Sequence, residues 1–447
     1  MKKSKVNKRF LLIGFLLLSV FLTACSLEDS QSEEEVGPAN GHEMEHGDEK
    51  ADKVDHDDHH EHGAGETELD EEEMRADIEQ TAATPPGLLN ENATNGLNVT
   101  NTKNITRINE DDPVAMSILT SQTVWPATHE ENQPGTVILA PLNQWQYSLA
   151  ALTLVHHPND GPMLYFDGEI SDNVVTELNR LQPKGNNEGV QILVVGDLPK
   201  EEINKLDEYN VEQIHGINAA DFAQKIEEKF SETINDVHPN VIIGSSEEDA
   251  KGYTISVANW IAHMNESLLY VDNEGIPKET VDALNKREDG VTIYIVGPED
   301  IISDEIAQEL ENYGAVHRIE GANPVAQSIE FAAYKDIETD FGWGITDPGH
   351  GFVFSSTSTP DLAIAAAPFA HLGKHAPIIW LEDGEITSEL YEYIASVKPA
   401  FSKDPTEGPY NHGYVVGTFA NISFMTQGIL DEKLEIVSLS GDDHGGH

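Results

Sequence analysis

Side chains that bind transition metals are concentrated in an acidic stretch near the N-terminus. Six histidines alternate there with aspartate and glutamate: His42, His46, His56, His59, His60 and His62. Imidazole nitrogens and carboxylate oxygens together suit Zn²⁺, Ni²⁺ or Cu²⁺. The same pattern is typical of a solvated acidic spacer in which histidine is one more polar residue. Weak metal binding and a purely spacing role are therefore both open.

Two histidine pairs further along the chain have spacings that metal ligands also use. His156 and His157 are adjacent, and His371 and His375 are four residues apart. Such a pair binds a metal only if a third ligand converges on it in the fold. Histidine is also typical of helix C-termini, where the helix dipole favours it, and we favour that interpretation here.

The only cysteine in the 447 residues is Cys25. A single thiol excludes an internal disulfide, a thiolate metal cage and a CxxC redox couple. It follows five basic residues, an apolar block from Phe10 to Leu22, and the sequence Leu22-Thr23-Ala24. A charged segment, a short apolar segment and small residues together predict an export signal and not a membrane-spanning helix.

The end of this signal resembles the lipobox of bacterial lipoproteins. The resemblance implies cleavage before Cys25 and a diacylglycerol on its sulfur; an ordinary signal peptide with an incidental cysteine is the alternative. Two or more acyl chains hold a protein stably on a membrane. We therefore expect residues 1–24 to be a signal peptide, and the protein to be lipid-anchored on the extracytoplasmic face of the cell membrane.

The charge of the chain is extreme, with 26 Lys and Arg against 80 Asp and Glu, a formal net charge of -54. Without the signal and the stretch up to residue 80, the charge is still about -40. Such a field repels polyanions and argues against nucleic acid as a partner. Because salt screens self-repulsion within a few ångströms, the charge indicates a salt-tolerant host.

The segment 25–97 lacks periodicity and is rich in Glu, Asp, His and Gly. It cannot bury enough apolar area to order itself, so we predict a disordered, charge-extended tether. Residues 441–447, with His444 and His447, form a similar short tail.

Beyond the tether, one motif occurs twice almost letter for letter. Ile105-Thr106-Arg107-Ile108 precedes a Pro-Val-Ala helix start at Pro113, and Val316-His317-Arg318-Ile319 precedes the same start at Pro324. A weaker copy contains Ile214 and His215, the nearest basic side chain there. Self-similarity at a long period indicates a duplicated supersecondary unit, in which each copy ends a strand and starts a helix.

Nine short apolar segments alternate with amphipathic helices, at 136–140, 163–168, 191–196, 241–244, 267–272, 292–297, 351–355, 377–381 and 413–417. Continuous apolar strands separated by helices predict buried parallel sheets. We predict an α/β fold of three tandem open-sheet repeats. No G-x-S-x-G, H-E-x-x-H, P-loop or G-x-G-x-x-G motif follows these strands, so we expect no enzymatic activity.

These repeats resemble the bacterial cell-wall-binding repeat type 2 family. The similarity lies in Thr106-Arg107-Ile108, in the helix from Pro360 to Ala370, and in the strand from Val291 to Gly297. It implies three repeats packed as a pseudo-trimer, at 98–212, 213–314 and 315–440, that attach exported proteins non-covalently to anionic wall polymer. Arg107, His215 and Arg318 are then the candidates for polymer binding or for repeat-repeat contacts.

The sequence therefore predicts a membrane-anchored surface lipoprotein whose three repeats are a non-catalytic cell-wall-binding module. The resemblance implies no cofactor, and the only metals considered are weakly bound zinc, nickel or copper in the tether. The alternative is a lipoprotein that handles divalent metals through its histidine-rich tether.

Overall fold

Short strands alternate with helices through the body of the chain, and the predicted α/β class is confirmed. A computed structural model describes residues 97–287, 290–372 and 375–439. All of them belong to one compact unit, Thr67–His447. The second unit, Met1–Glu66, lies outside the described residues, and so do the predicted signal peptide, Cys25, the six histidines of the tether and the tail.

All nine predicted apolar strands overlap strands of the structure. The strands are β1 (Val99–Asn101), β2 (Ile105–Ile108), β3 (Val137–Pro141), β4 (Met163–Phe166), β5 (Ile192–Val195), β6 (Val211–Ile214), β7 (Asn240–Ser245), β8 (Ser267–Val271), β9 (Val291–Val296), β10 (Gly314–Ile319), β11 (Gly351–Ser356), β12 (Ile378–Leu381), β13 (Ala400–Phe401), β14 (His412–Val416) and β15 (Val437–Ser438).

The helices between them are short. They are α1 (Pro113–Val124), α2 (Trp145–Ala151), α3 (Asp172–Leu181), α4 (Lys200–Ile203), α5 (Ala219–Ile234), α6 (Lys251–Thr254), α7 (Ala258–Ile261), α8 (Lys278–Leu284), α9 (Asp304–Leu310), α10 (Pro324–Ala333), α11 (Pro360–Ala366), α12 (Ser388–Ser396) and α13 (Phe424–Leu434). Single 3₁₀ turns are Glu130–Asn132, Leu152–Val155, Asn204–Leu206, Glu248–Ala250, Ile255–Val257, Ala367–Ala370 and Pro405–Glu407.

Three parallel sheets share one strand order. The first sheet runs β4-β3-β5-β6, the second β8-β7-β9-β10, and the third β12-β11-β14-β2, with β1 added antiparallel to β2. Strands β13 and β15 pair with each other and form a separate two-stranded sheet. The central strands are entirely apolar or nearly so, as a sheet covered on both faces requires.

The strand that carries each copy of the repeated motif is an outermost parallel strand of one of the three sheets. β6 closes the first sheet and β10 closes the second, whereas β2, near the start of the described chain, closes the third by pairing with β14. The third sheet thus joins both ends of the body. The predicted repeat boundaries stay predictions, but pairing crosses each of them.

A helix follows each of these three strands, as the motif predicts, and begins with the same type of cap. The side chains of Asp112, Asn218 and Asn323 accept hydrogen bonds from the backbone N–H three residues further on. Proline is the first helical residue of α1 and α10, where its fixed φ suits the helix and its missing N–H costs nothing.

These three helices bridge neighbouring sheets. α1 packs against α11 of the third sheet and β4 of the first, and α5 packs against α2 of the first and β8 of the second. α10 packs against Ile255–Val257 of the second sheet's helical layer and β12 of the third. The core is therefore continuous through all three sheets. Among the described helices, none has the length and apolar character needed to cross a bilayer.

Candidate functional site

Arg107 lies in the interior, on β2, with its side chain fully buried. Its Nε donates to Gln427 Oε1 at 2.6 Å, Nη1 to the Gly417 carbonyl at 2.8 Å and Nη2 to the Ile422 carbonyl at 2.9 Å. The guanidinium also lies 4.2 Å from the ring centre of Phe419. Burial lowers the pKa of Arg107 to about 10. The side chain therefore holds the loop between β14 and α13, with its donors used inside the protein.

Arg318 has the corresponding position on β10. Its Nη1 donates to the Gly297 carbonyl at 2.9 Å, and its Nη2 lies 3.2 Å from Asp304 Oδ1 at the start of α9. Both arginines thus bind the carbonyl of the glycine that follows the adjacent strand. Gly417 and Gly297 have φ values of 129° and 125°, in the region that glycine tolerates best.

The first sheet has glutamine at this position. Gln213 pairs with Val194 as Arg318 pairs with Ile295, and its Nε2 donates to the Gly196 carbonyl at 2.8 Å. His215 lies two residues further on, exposed, with Nδ1 2.6 Å from Asp197 Oδ1. Counting back from the isoleucine that ends each strand would have identified Gln213; the search for a basic side chain missed it.

The geometry of these three positions favours a structural role. In each sheet a side chain donor on the last strand binds a neutral backbone carbonyl at a strand end. A glutamine does this in the first sheet without any charge, so the shared property is hydrogen bonding to the loop. Contact of Arg107, His215 or Arg318 with a polymer stays a prediction.

A second threefold pattern lies where the sheets meet. On the edge strand of each sheet, a fully buried aromatic side chain reaches the backbone carbonyl of the second residue of a helix in the preceding sheet's layer. The contacts are Tyr165 Oη to Asp361 O at 3.5 Å, Tyr270 Oη to Gln146 O at 2.7 Å, and Trp380 Nε1 to Gly252 O at 2.9 Å. Each sheet therefore binds its neighbour in the same cyclic sense.

Polar contacts reinforce this junction at the carboxyl ends of the strands. Lys251 Nζ pairs with Asp361 Oδ1 at 3.0 Å, which links α6 to α11. Trp145 Nε1 donates to Glu248 Oε2 at 2.9 Å, which links α2 to the turn before α6. The helix starts of three sheets are thus tied together directly.

Histidines meet at the other end of the same helices, where each segment turns back toward the next strand. The His156 ring centre lies 5.6 Å from that of His371 and 6.4 Å from that of His263, which itself lies 4.5 Å from that of His375. His156 and His371 directly follow 3₁₀ turns, close to the predicted helix ends. His263 was not recognised from sequence, because nothing adjacent in the chain marks it.

Burial disfavours the charged form of two of these imidazoles, His156 and His263. Burial, followed by repulsion from neighbouring histidines, lowers the pKa of both His156 and His263 to about 4. Asp160 contacts His371 Nε2 at 3.2 Å and His157 Nδ1 at 2.7 Å, and its pKa is lowered to about 2 by these hydrogen bonds despite its own burial. Through residues 97–287, 290–372 and 375–439, no group of three or more His, Cys, Asp or Glu is arranged to hold a metal ion.

Comparison with known proteins identifies similar folds. Cwp6 from Clostridium difficile has a TM-score of 0.59 at 14% identity, over 77% of this chain and 50% of its own. Cwp8 from the same organism has a TM-score of 0.57 at 16% identity, over 74% of this chain and 52% of its own. The chain thus spans about half the length of these structures. The sequence matches no family model and no curated protein. This protein therefore shares its α/β fold with Cwp6 and Cwp8.

Proposed function

We propose that the protein is a lipid-anchored surface protein whose three α/β units bind a polymer of the cell wall without catalysis. The observation that carries the proposal is the fold shared with Cwp6 and Cwp8, which are cell-wall proteins, over about three quarters of this chain. The predicted export signal, residues 1–24, supports a location outside the membrane.

The arginines of the repeated motif contribute to this function through the fold. Arg107 is buried, and Arg318 directs its donors at Gly297 and Asp304. We infer that other groups on the outer surface bind the polymer, with direct contact by Arg318 as the alternative.

Sedimentation of the protein with purified cell walls, across a series of NaCl concentrations, tests this proposal. An anionic polymer repels the acidic body at low salt, so we expect the bound fraction to rise as salt screens the repulsion. Assaying the supernatant for released wall fragments tests the absence of catalysis. Absence of binding at every ionic strength would contradict wall binding, and fragment release would contradict a non-catalytic role.

The lipid anchor is tested separately in cells. We expect the protein to sediment with membranes and to take up labelled fatty acid, and Cys25→Ser to lose the label because the sulfur that carries the diacylglycerol is absent. A wild-type protein without label, or a Cys25→Ser protein that keeps it, would contradict the anchor.

A second function, handling of divalent metal, is favoured by the six histidines of the tether. We propose calorimetry with Zn²⁺ on the intact chain and on a chain in which these six residues are replaced by glutamine. Micromolar binding that disappears with the six replacements supports metal handling by the tether. No heat from either chain removes this function, and equal heat from both places the metal elsewhere.

A further inference from the structure

The histidine junction, defined as His156, His263, His371 and His375, joins segments that belong to three different sheets. His156 follows the 3₁₀ turn after α2, and His263 follows α7 in the second sheet's helical layer. His371 follows Ala367–Ala370 in the third. Contact among these rings is therefore contact among the three units, at the end of the junction opposite the Lys251–Asp361 pair.

Three of the four rings have one nitrogen that is buried without a hydrogen-bond partner among the described residues. The Nδ1 atoms of His156, His263 and His371 are buried, with no hydrogen-bond partner in the described part of the chain. An imidazolium donates from both nitrogens, so protonation here would leave a buried donor unsatisfied. Two aromatic rings limit water access further, since Trp125 stacks on His371 and Trp343 on His263.

The charged groups around the junction would do little to stabilise a positive charge on these rings. The charged form of His156 is disfavoured by His371 and His157 and favoured by Asp160 and by a hydrogen bond with the His157 backbone. The charges that act on His263 come from His375, His156 and His371. Asp160 is the one carboxylate in these sets, and its two oxygens already contact His371 and His157. On the far side, His375 repels His350, and the attraction between Asp347 and His350 outweighs that repulsion.

We propose that the histidine junction is an acid-sensitive latch, closed while His156 and His263 are neutral and loosened when these two rings are protonated. Acid then weakens the contact among the three units at this end, while the aromatic and Lys251–Asp361 contacts at the other end persist. The inference does not depend on wall binding, because it concerns only contacts within the body.

The direction of the pH effect follows from the pKa values. His156 and His263 titrate near 4 in the closed state, below the ordinary histidine value of about 6.5. The closed state is fully stable above about pH 6.5, and the open state takes up protons first as the pH falls toward 4. At pH 5, His156 and His263 each shift the equilibrium toward opening by about 10-fold. This factor is smaller than the pKa shift alone would give, because both rings are partly exposed.

Thermal unfolding and tryptophan fluorescence of the full chain test the latch between pH 8 and pH 4.5. We expect Tm to fall by about 5 °C between pH 7 and pH 5, with a fluorescence change over the same range as His263, which stacks on Trp343, is protonated. In His156→Gln/His263→Gln, the fall in Tm over this range should largely disappear. The matched control His129→Gln alters an exposed histidine and should keep the wild-type slope.

Three results would overturn the proposal. The first is a double variant with the same pH slope as the wild type. The second, which applies even if the variant does not fold, is a wild-type Tm and fluorescence that stay constant from pH 7 to pH 4.5. Metal contamination is excluded as a cause by repeating the wild-type series with EDTA, which should leave the slope unchanged; a slope abolished by EDTA also contradicts the latch.

Discussion

Gln213 on β6 and Arg318 on β10 occupy the same register position and make the same type of hydrogen bond. Each donates to the carbonyl of the glycine that ends the neighbouring strand, Gln213 to Gly196 at 2.8 Å and Arg318 to Gly297 at 2.9 Å. A neutral amide therefore replaces a guanidinium at a position that the repeated motif marks as basic. The hydrogen bond, and not the charge, is what the position provides.

The variant Arg318→Gln should therefore be nearly as stable as the wild type. It keeps a donor for the Gly297 carbonyl and loses only the contact with Asp304. Because Asp304 is exposed, this ion pair contributes less than about 1 kcal/mol to the free energy of unfolding. Arg318→Ala removes the donor and should cost about 1–2 kcal/mol. Urea unfolding compares the two, and equal losses would show that the guanidinium itself is required. In wall sedimentation, Arg318→Gln should bind as the wild type does; lost binding would assign the charge to the polymer.

Arg107 should be far less tolerant, because its surroundings are fully buried. Arg107→Met keeps much of the apolar volume but leaves Gln427 and the carbonyls of Gly417 and Ile422 without this donor. Because these buried polar groups would be left unsatisfied, we expect the free energy of unfolding to fall by about 3–5 kcal/mol. Thermal unfolding measures it, with Arg318→Met as the matched control. Similar losses at the two positions would mean that burial is not what distinguishes them.

The fold class was predictable from sequence because each central strand is a continuous apolar run, as in Ile192–Val195. The strand with which β2 pairs could not be predicted from the sequence. Its residues, Ile105–Ile108, open the first predicted repeat, yet they pair with His412–Val416 about 300 residues later. A local pattern specifies that a segment is a strand, whereas packing of the whole body selects its neighbour.

For the candidate residues, too, the local sequence identified the positions but not the contacts that they make. Arg107 and Arg318 were found because their neighbours are repeated, but their inward direction depends on loops that the motif does not include. His371 and His375 were noticed as a pair, with a third ligand-type residue as the condition for a metal site. Other histidines do converge on them, but the arrangement is not one that holds a metal within the described segments.

The cyclic aromatic contacts predict graded losses for three related variants. Tyr270→Phe removes a buried hydrogen bond of 2.7 Å to the Gln146 carbonyl and should cost about 1–1.5 kcal/mol. Tyr165→Phe is the matched control, because its contact with the Asp361 carbonyl is 3.5 Å long and should contribute less than about 0.5 kcal/mol. Trp380→Phe should cost more than either, since it also opens a cavity. Thermal unfolding ranks them, and a larger loss for Tyr165→Phe than for Tyr270→Phe would contradict this account of the junction.

The acidic composition predicts that salt stabilises the folded body. Acids exceed bases by 54 in the whole chain, and folding brings like charges closer together than they are in the unfolded state. Raising NaCl from 0.05 M to 1 M shortens the screening length to about 3 Å and removes most of this repulsion. Partly buried ion pairs, such as Lys251 with Asp361, lose less than the repulsion does, because salt screens them weakly. We therefore expect Tm to rise steadily with NaCl at pH 7.5, and to rise much less with glucose at the same osmolality. A Tm that falls with NaCl would mean that attractive pairs dominate over the net charge.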